Sequence, residues 1–314
     1  MELCPTYDLA VAWNWEYDSE FVHMIQDVFQ QHNLSVLEIR AHNVEEVLML
    51  LKKGKLRLRY VLDRASDEHE AFLPLARYLL KQFHEGDTTS GHPINVLDDQ
   101  QRAADKATMH LEFLVRHIDV PYTIIISPYN HKNEVELSIS ELAQLGRPFI
   151  IKPANTTGGG IGVVMGAETL KEVIDARQAH KNDKYLLQET IRPVLWEGRR
   201  AWFRVFYAFG ELIPVWWDDT THIYSVLQEV EEEWIDVGRL KKITAVIHSI
   251  CHLDFFSTEL VFTADGRCVA VDYVNEMCDM RLKSHFLDGV PDSLVQKIVL
   301  CMMEYMTKDK KREI

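Results

Sequence analysis

The chain has 314 residues, 47% of them hydrophobic and 26% charged, with a formal net charge of -14. This is the composition of a folded protein long enough for two or three packed units, and it excludes a disorder-dominated chain. The acidic balance speaks against a nonspecific nucleic-acid binder, which needs a basic surface to neutralise phosphates.

At the N-terminus, Glu2 and Asp8 stand where a secretion signal would place a basic start, and no apolar run approaches the roughly 18 residues of a membrane span. The expectation is a cytoplasmic protein with no membrane partner. Tyr7 to Trp13 then reads as a strand, and Phe21, Val22, Ile25, Val28 and Phe29 fall on one helical face. Val36 to Ile39 is a short strand, Val44, Val47, Leu48 and Leu51 mark a helix, and Tyr60 to Asp63 is a third strand. Strands alternating with helices predict a parallel sheet with right-handed crossovers. A further helix carries Phe72, Leu75, Ala76, Leu79 and Phe83. The turn-rich segment His84 to Pro93 marks the edge of this first unit, so the predicted N-terminal α/β domain covers 1–92.

The second unit, 93–190, opens with a helix whose predicted stripe is Ala107, Leu111, Leu114, Val115 and Ile118, with Lys106 beside its start. Pro121 stops the chain before a strand from Tyr122 to Ile126. Next comes FIIKPANTTGGGIGVVMG, in which an apolar strand ends in Lys152 and meets the loop Thr156, Thr157, Gly158, Gly159, Gly160 and Gly162. Glycine permits positive φ and close approach, so backbone N–H groups of such a loop can close on phosphate oxygens. A tight hairpin turn is the alternative. The spacing excludes a P-loop, whose Lys follows its glycines, and the dinucleotide fingerprint, whose third glycine is here Met165. Lys106 and Lys152 are candidates to hold phosphates from two sides. A helix near Leu170 to Ala179 and the strand Tyr185 to Leu187 complete the unit. That strand runs into Gln188, Glu189, Thr190 and Ile191, which present polar groups and open backbone as an adenine-binding hinge would; a plain strand end is the alternative.

The last unit, 191–314, is strand-rich: Ala201 to Phe209, Leu212 to Trp217, Phe255 to Phe262 and Cys268 to Val274, with turns at Phe209-Gly210 and Asp265-Gly266. Leu294, Val295, Ile298, Val299, Met302 and Met306 form a closing helix. Glu259, Asp272 and Asn275 are hard oxygen ligands on paired strands, and a carboxylate in an apolar strand is costly unless paired or metal-bound. Arg204 is a similarly expensive charge inside AWFRVFYAF, and Arg281 follows the acidic segment; both are candidates to face a developing negative charge or a substrate carboxylate. Five scattered cysteines, without a C-x-x-C pair, support neither a disulfide framework nor structural zinc. His248 and His252 lack a third ligand nearby, so neither they nor His222 are assigned a role. The acidic cluster Glu229 to Glu233 reads first as a solvated helix face with tryptophans packed beneath; attraction of a cationic amine is the alternative.

Together the Lys106 segment, FIIKPANTTGGGIGV, LLQETI, AWFRVFYAFGEL and the pair DFFSTEL and VDYVNEM resemble the ATP-grasp superfamily over most of the chain. The resemblance implies an ATP-grasp fold: an N-terminal parallel α/β (pre-ATP-grasp) domain, a small central lobe and a C-terminal antiparallel-sheet lobe. It makes Lys106, Lys152, Glu189 and Ile191 nucleotide contacts, Glu259 and Asn275 metal ligands, and Arg204 a stabiliser of the transferred phosphoryl group, with ATP and Mg²⁺ as cofactors. One departure stands out: members commonly place a second carboxylate two residues before the asparagine, where this chain has Tyr273. Asp272 is one residue further back and would face the other side of a regular strand. Either a bulge re-aims it, or Glu276 or a water takes its place.

The chemistry implied is ADP-forming ligation of a small carboxylate to an amine or similar nucleophile through an acyl phosphate. The alternatives are a kinase like the inositol phosphate kinases that share this fold, drawing on Arg192, Arg199 and Arg200, and a nucleotide-binding module without turnover. The partners expected are small-molecule substrates, with no nucleic acid, and a homodimer is left open.

Overall fold

The computed structural model describes residues 4–310 apart from 88, 156–159 and 233–234. The chain opens with β1 (Thr6–Trp13), α1 (Ser19–Gln31), β2 (Val36–Ile39), α2 (Val44–Lys52), β3 (Arg57–Arg64), α3 (Leu73–Glu85) and β4 (Ser90–Ile94). All pairings are parallel and the strand order is β2-β1-β3-β4. The central strand β1 is buried from Leu9 to Trp13, because crossover helices cover both faces of such a sheet.

β4 corrects the reading of residues 84–93 as a turn-rich boundary, since residues 90–93 of that segment belong to an edge strand. Its polar, Gly- and Pro-containing sequence hides it. Gly91 has φ 104° and lies so close to β3 that a Cβ would sit 2.7 Å from Val61 Cγ2. Pro93 is tolerated because β4 is at the edge, where a missing N–H breaks no ladder.

α4 (Leu97–Ala104) and α5 (Lys106–Val115) follow, separated at Asp105, whose side chain caps α5 by accepting from the N–H groups of Ala107 and Thr108. The predicted stripe of α5 is out of phase. Met109, His110 and Phe113 are buried with Ala107, whereas Leu111, Leu114 and Val115 are exposed. Both faces carry apolar residues at helical spacing, so periodicity alone could not choose between them.

The next sheet is antiparallel, built from β5 (Thr123–Ile126), β6 (Phe149–Pro153), β7 (Val164–Ala167) and β8 (Tyr185–Glu189) in the order β5-β8-β6-β7. α6 (Ile139–Leu145) and α7 (Leu170–Ala176) pack on it, each started by a capping box, Ser138 with Glu141 and Thr169 with Glu172.

A short ribbon, β9 (Leu195–Trp196) and β10 (Arg199–Arg200), leads to β11 (Trp202–Ala208), β12 (Glu211–Trp217), β13 (Tyr224–Val226), α8 (Glu229–Glu232), α9 (Val237–Cys251), β14 (Phe255–Phe262), β15 (Cys268–Asn275) and α10 (Asp292–Lys310). These strands form an antiparallel sheet, β13-β12-β11-β14-β15, apolar on both faces. One face packs with α4, α5 and α9 through Ala103, Phe113, Leu240 and Phe256. The other faces α10 and the N-terminal unit, with Phe206 and Val215 in one core with Phe21, Phe29, Ile298 and Met302.

Two buried polar ties hold the N-terminal unit to this sheet. Arg64 makes a bidentate pair with Asp18, at 2.8 Å for both bonds, and donates to the carbonyl of Cys278 at 3.0 Å. Asn95, just after β4, bonds the backbone of Phe255 in both directions. All five cysteines are free, and among the described residues no helix is long and apolar enough to cross a membrane.

Candidate active site

Arg204, Glu259 and Asp272 stand opposite one another across three neighbouring strands, because Arg204 pairs with Glu259 between β11 and β14, and Glu259 with Asp272 between β14 and β15. Regular pairing from Ser257 with Asn275 would set Glu259 opposite Tyr273. Instead the register shifts on both sides of Glu259, and Asp272 takes that place. Of the options left open by the sequence, the strand therefore adopts the bulge, which turns Asp272 to the Glu259 side.

Both oxygens of Glu259 are already engaged: Arg204 Nη2 donates to Oε1, and Trp202 Nε1 donates to Oε2 at 3.0 Å. Arg204 is further held by Nη1 donating to Tyr224 Oη at 3.1 Å and by the Trp217 ring, 4.3 Å from its guanidinium carbon. Burial opposes its charge, but the Tyr224 hydroxyl and the Glu259 carboxylate outweigh that and raise its pKa. Its Nε is buried with no hydrogen-bond partner among the described residues, so one donor of the fork is uncommitted.

Lys152 is the penultimate residue of β6, 8% exposed, and its Nζ donates to the carbonyl of Val271 at 3.1 Å. Burial pulls its pKa down to about 8; Asp272 and Glu259 counter this and the Lys106 charge adds to it. Lys106 is brought alongside because its own backbone N–H bonds Ala154, two residues beyond Lys152, at 3.1 Å. Asp272 sits between these charges: burial disfavours its anion, yet Lys106, Lys152 and Arg204 hold its pKa below the usual carboxylate value. Asn275 lies opposite Ser257, two residues along β14 from Glu259. Glu276, beside it, is pushed up chiefly by burial.

At the predicted hinge, Gln188 is buried and Glu189 accepts from the Tyr122 N–H at 2.9 Å, with Arg267 3.8 Å away. Thr190 Oγ1 donates to the Pro148 carbonyl at 2.7 Å, and Ile191 packs on Val261 and Val269. Thr156, Thr157, Gly158 and Gly159 lie outside the described residues. At the two ends of that loop, Asn155 is fixed by two bonds to Asp183, and Gly160 and Gly162 have φ of 78° and 77°.

Other candidates stand apart from this group. Arg281 is bound by Asp279 at 2.7 Å and Asp288 at 2.9 Å. Arg200 forms a bidentate pair with Asp219, and Arg199 pairs with Glu231 over the Trp216 ring. His252 caps α9 in the left-handed region, and His248 is half-buried against Tyr207.

Sequence reasoning missed Tyr273 and His110, which meet behind Lys152, and Trp217 and Tyr224, which hold Arg204. The one readable signal was His110, a full helical turn beyond Lys106 on α5.

Among the described residues no three His, Cys, Asp or Glu side chains cluster tightly enough to hold a metal by themselves. Two carboxylates and a nearby amide, all hard oxygen donors, do fit Mg²⁺, which keeps waters and binds through one or two carboxylates plus phosphate oxygens.

No protein-family model matches the chain, and no curated protein matches it. Solved structures do. The D-alanine–D-alanine ligase from Bacillus anthracis complexed with ATP aligns over 98% of this chain and 99% of its own, at 15% identity and TM-score 0.64. A RimK domain ATP-grasp protein from Sphaerobacter thermophilus aligns over 93% and 97%, at 16% identity and TM-score 0.61. The ATP-grasp ligase PsnB, complexed with a minimal precursor, Mg and ADP, aligns over 93% and 97%, at 12% identity and TM-score 0.62. End-to-end similarity to these proteins, whose sequences have diverged so far from this one, identifies the chain as having the ATP-grasp fold.

Proposed function

We propose that the chain is an ADP-forming ligase that uses ATP and Mg²⁺ to join a small carboxylate to an amine or similar nucleophile. The observation that carries this reading is the bulge that sets Asp272 opposite Glu259 while Lys106, Lys152 and Arg204 converge on the same carboxylates. Such a group suits a polyphosphate brought in with a divalent cation. The structural neighbours support an ATP-dependent ligase at the level of the fold.

On this reading three lobes act together: the parallel unit through the end of β4 at Ile94, the segment after it up to residue 190 with its glycine-rich loop, and 191–314. Lys152 and Lys106 hold the phosphates, helped by the loop residues Thr156, Thr157, Gly158, Gly159 and Gly160. Gln188, Glu189, Thr190 and Ile191 receive the adenine. Glu259, Asp272 and Asn275 would hold Mg²⁺, which supplies charge neutralisation for phosphoryl transfer. Arg204 would stabilise the transferred phosphoryl group, where a positioned cation is worth most in a water-poor site. The substrate carboxylate attacks the γ-phosphorus, ADP leaves, and the nucleophile displaces phosphate from the acyl phosphate. Arg281, bound to two carboxylates, is given no part.

The kinase alternative needs cations for a polyanionic substrate, and Arg199 and Arg200 are already neutralised by Glu231 and Asp219. Screening ADP release against amino acids and other small carboxylates tests the reading. The productive acid should yield a hydroxamate when hydroxylamine is present; ADP release that requires a hydroxyl acceptor and yields no hydroxamate would establish the kinase instead.

A further inference from the structure

Tyr273 occupies the position where the resemblance leads one to expect a carboxylate, and the bulge that recruits Asp272 leaves it free for another task. Its ring is 1% exposed, packed edge-on to Phe113 at 5.1 Å, with Lys152 Nζ 5.6 Å from its centroid. Its hydroxyl lies 2.6 Å from His110 Nδ1 on α5 and 2.7 Å from Gln188 Nε2 on β8. Gln188 Nε2 also reaches Thr123 Oγ1 at 3.0 Å, and Thr123 Oγ1 donates to the Pro121 carbonyl at 2.9 Å.

The donors in this chain run one way. The Thr123 proton is committed to Pro121, so Gln188 donates to both Thr123 and Tyr273. Tyr273 must then donate to His110, which accepts at Nδ1 as a neutral imidazole carrying its proton on Nε2. Every hydrogen bond in the relay is satisfied without water, which makes it a specific joint rather than a loose contact.

The joint meets each part of the nucleotide site. Asp272 is the residue before Tyr273, Glu189 the residue after Gln188, and Lys106 lies one helical turn before His110, while Lys152 rides on the Tyr273 ring. We propose that Tyr273 is a positioning residue: its hydroxyl ties α5, β8 and β15 into one register, so that two lysines, the adenine hinge and the second carboxylate reach the nucleotide together. This inference rests on the nucleotide reading above, which nothing else in the relay requires.

The test is calorimetric titration of Mg²⁺-ADP into the parent, Tyr273→Phe and Gln188→Met, well below their unfolding temperatures. Phe keeps the ring under Lys152 and removes only the hydroxyl; Met keeps the length of Gln188 and removes its donors. Tyr207→Phe, which deletes a hydroxyl bonded to His248 on α9 and outside the relay, is the control. The expected result is at least tenfold weaker binding for Tyr273→Phe and Gln188→Met, no greater loss in the double variant than in the weaker single one, and parental affinity for Tyr207→Phe. Parental affinity in Tyr273→Phe, or in Gln188→Met if the first does not fold, overturns the inference while leaving the nucleotide reading intact. If the parent itself does not bind Mg²⁺-ADP, the nucleotide reading falls, and this inference with it.

Discussion

Asp272 and Tyr273 exchange roles through the register shifts that flank Glu259. In a regular strand the tyrosine would face Glu259 and the aspartate would be lost to the other side; the bulge reverses both. The cost of burying Tyr273 falls partly on His110, which is 4% exposed and cannot easily take a proton. Burial and the Lys152 charge pull its pKa down from 6.5 to about 4. Between these values the unfolded chain binds a proton that the native one refuses. Stability therefore falls as pH drops below 6.5, and the loss is complete near 4, amounting to about 3 kcal/mol at most. Urea titrations of the parent and His110→Gln across pH 4 to 7 should show the gap between them closing as the solution is acidified. A constant gap would mean that His110 is not held neutral. The charges of the site were legible in the sequence because Lys152, Arg204, Glu259 and Asp272 interrupt apolar strands at evident cost. The Tyr273 joint was not, because its bonds span 85 and 163 residues and a tyrosine in a strand raises no flag.

Elements were readable where one period dominated. Four strands of the five-stranded sheet, β11, β12, β14 and β15, and the helices α1 and α10 emerge near their predicted positions, since alternation or a single apolar stripe left no competing choice; the three-residue edge strand β13 was not predicted. β4 and α5 show how the same logic fails. β4 is a strand because Gly91 can pass close to Val61, a tertiary fact that Ser, Gly, His and Pro disguise as a turn. α5 carries two apolar stripes, and the side that buries is chosen by the Asp105 cap and by the demand of Tyr273 for His110. Position in the fold, rather than propensity, decided both.

The molecule is joined across its lobes by a few buried polar contacts laid over a shared apolar core. Arg64 and Asp18 are 6% and 1% exposed, and their pair also fixes the Cys278 carbonyl in the segment after β15. Asp18→Ala would leave a buried guanidinium without its anion, and the account predicts a loss of about 3–5 kcal/mol in unfolding free energy by chemical denaturation. A change within about 0.5 kcal/mol, as for an ordinary surface substitution, would show that the tie is dispensable.

The central claim is that Lys152, delivered by β6 and set among Lys106, Asp272 and Glu259, holds the nucleotide phosphates. It is tested most directly by titrating a nonhydrolysable ATP analogue with Mg²⁺ into the parent and into Lys152→Ala, with folding of both verified by circular dichroism. The account predicts saturable binding by the parent and at least tenfold weaker binding by a folded Lys152→Ala. A variant that binds the analogue as tightly as the parent would contradict it.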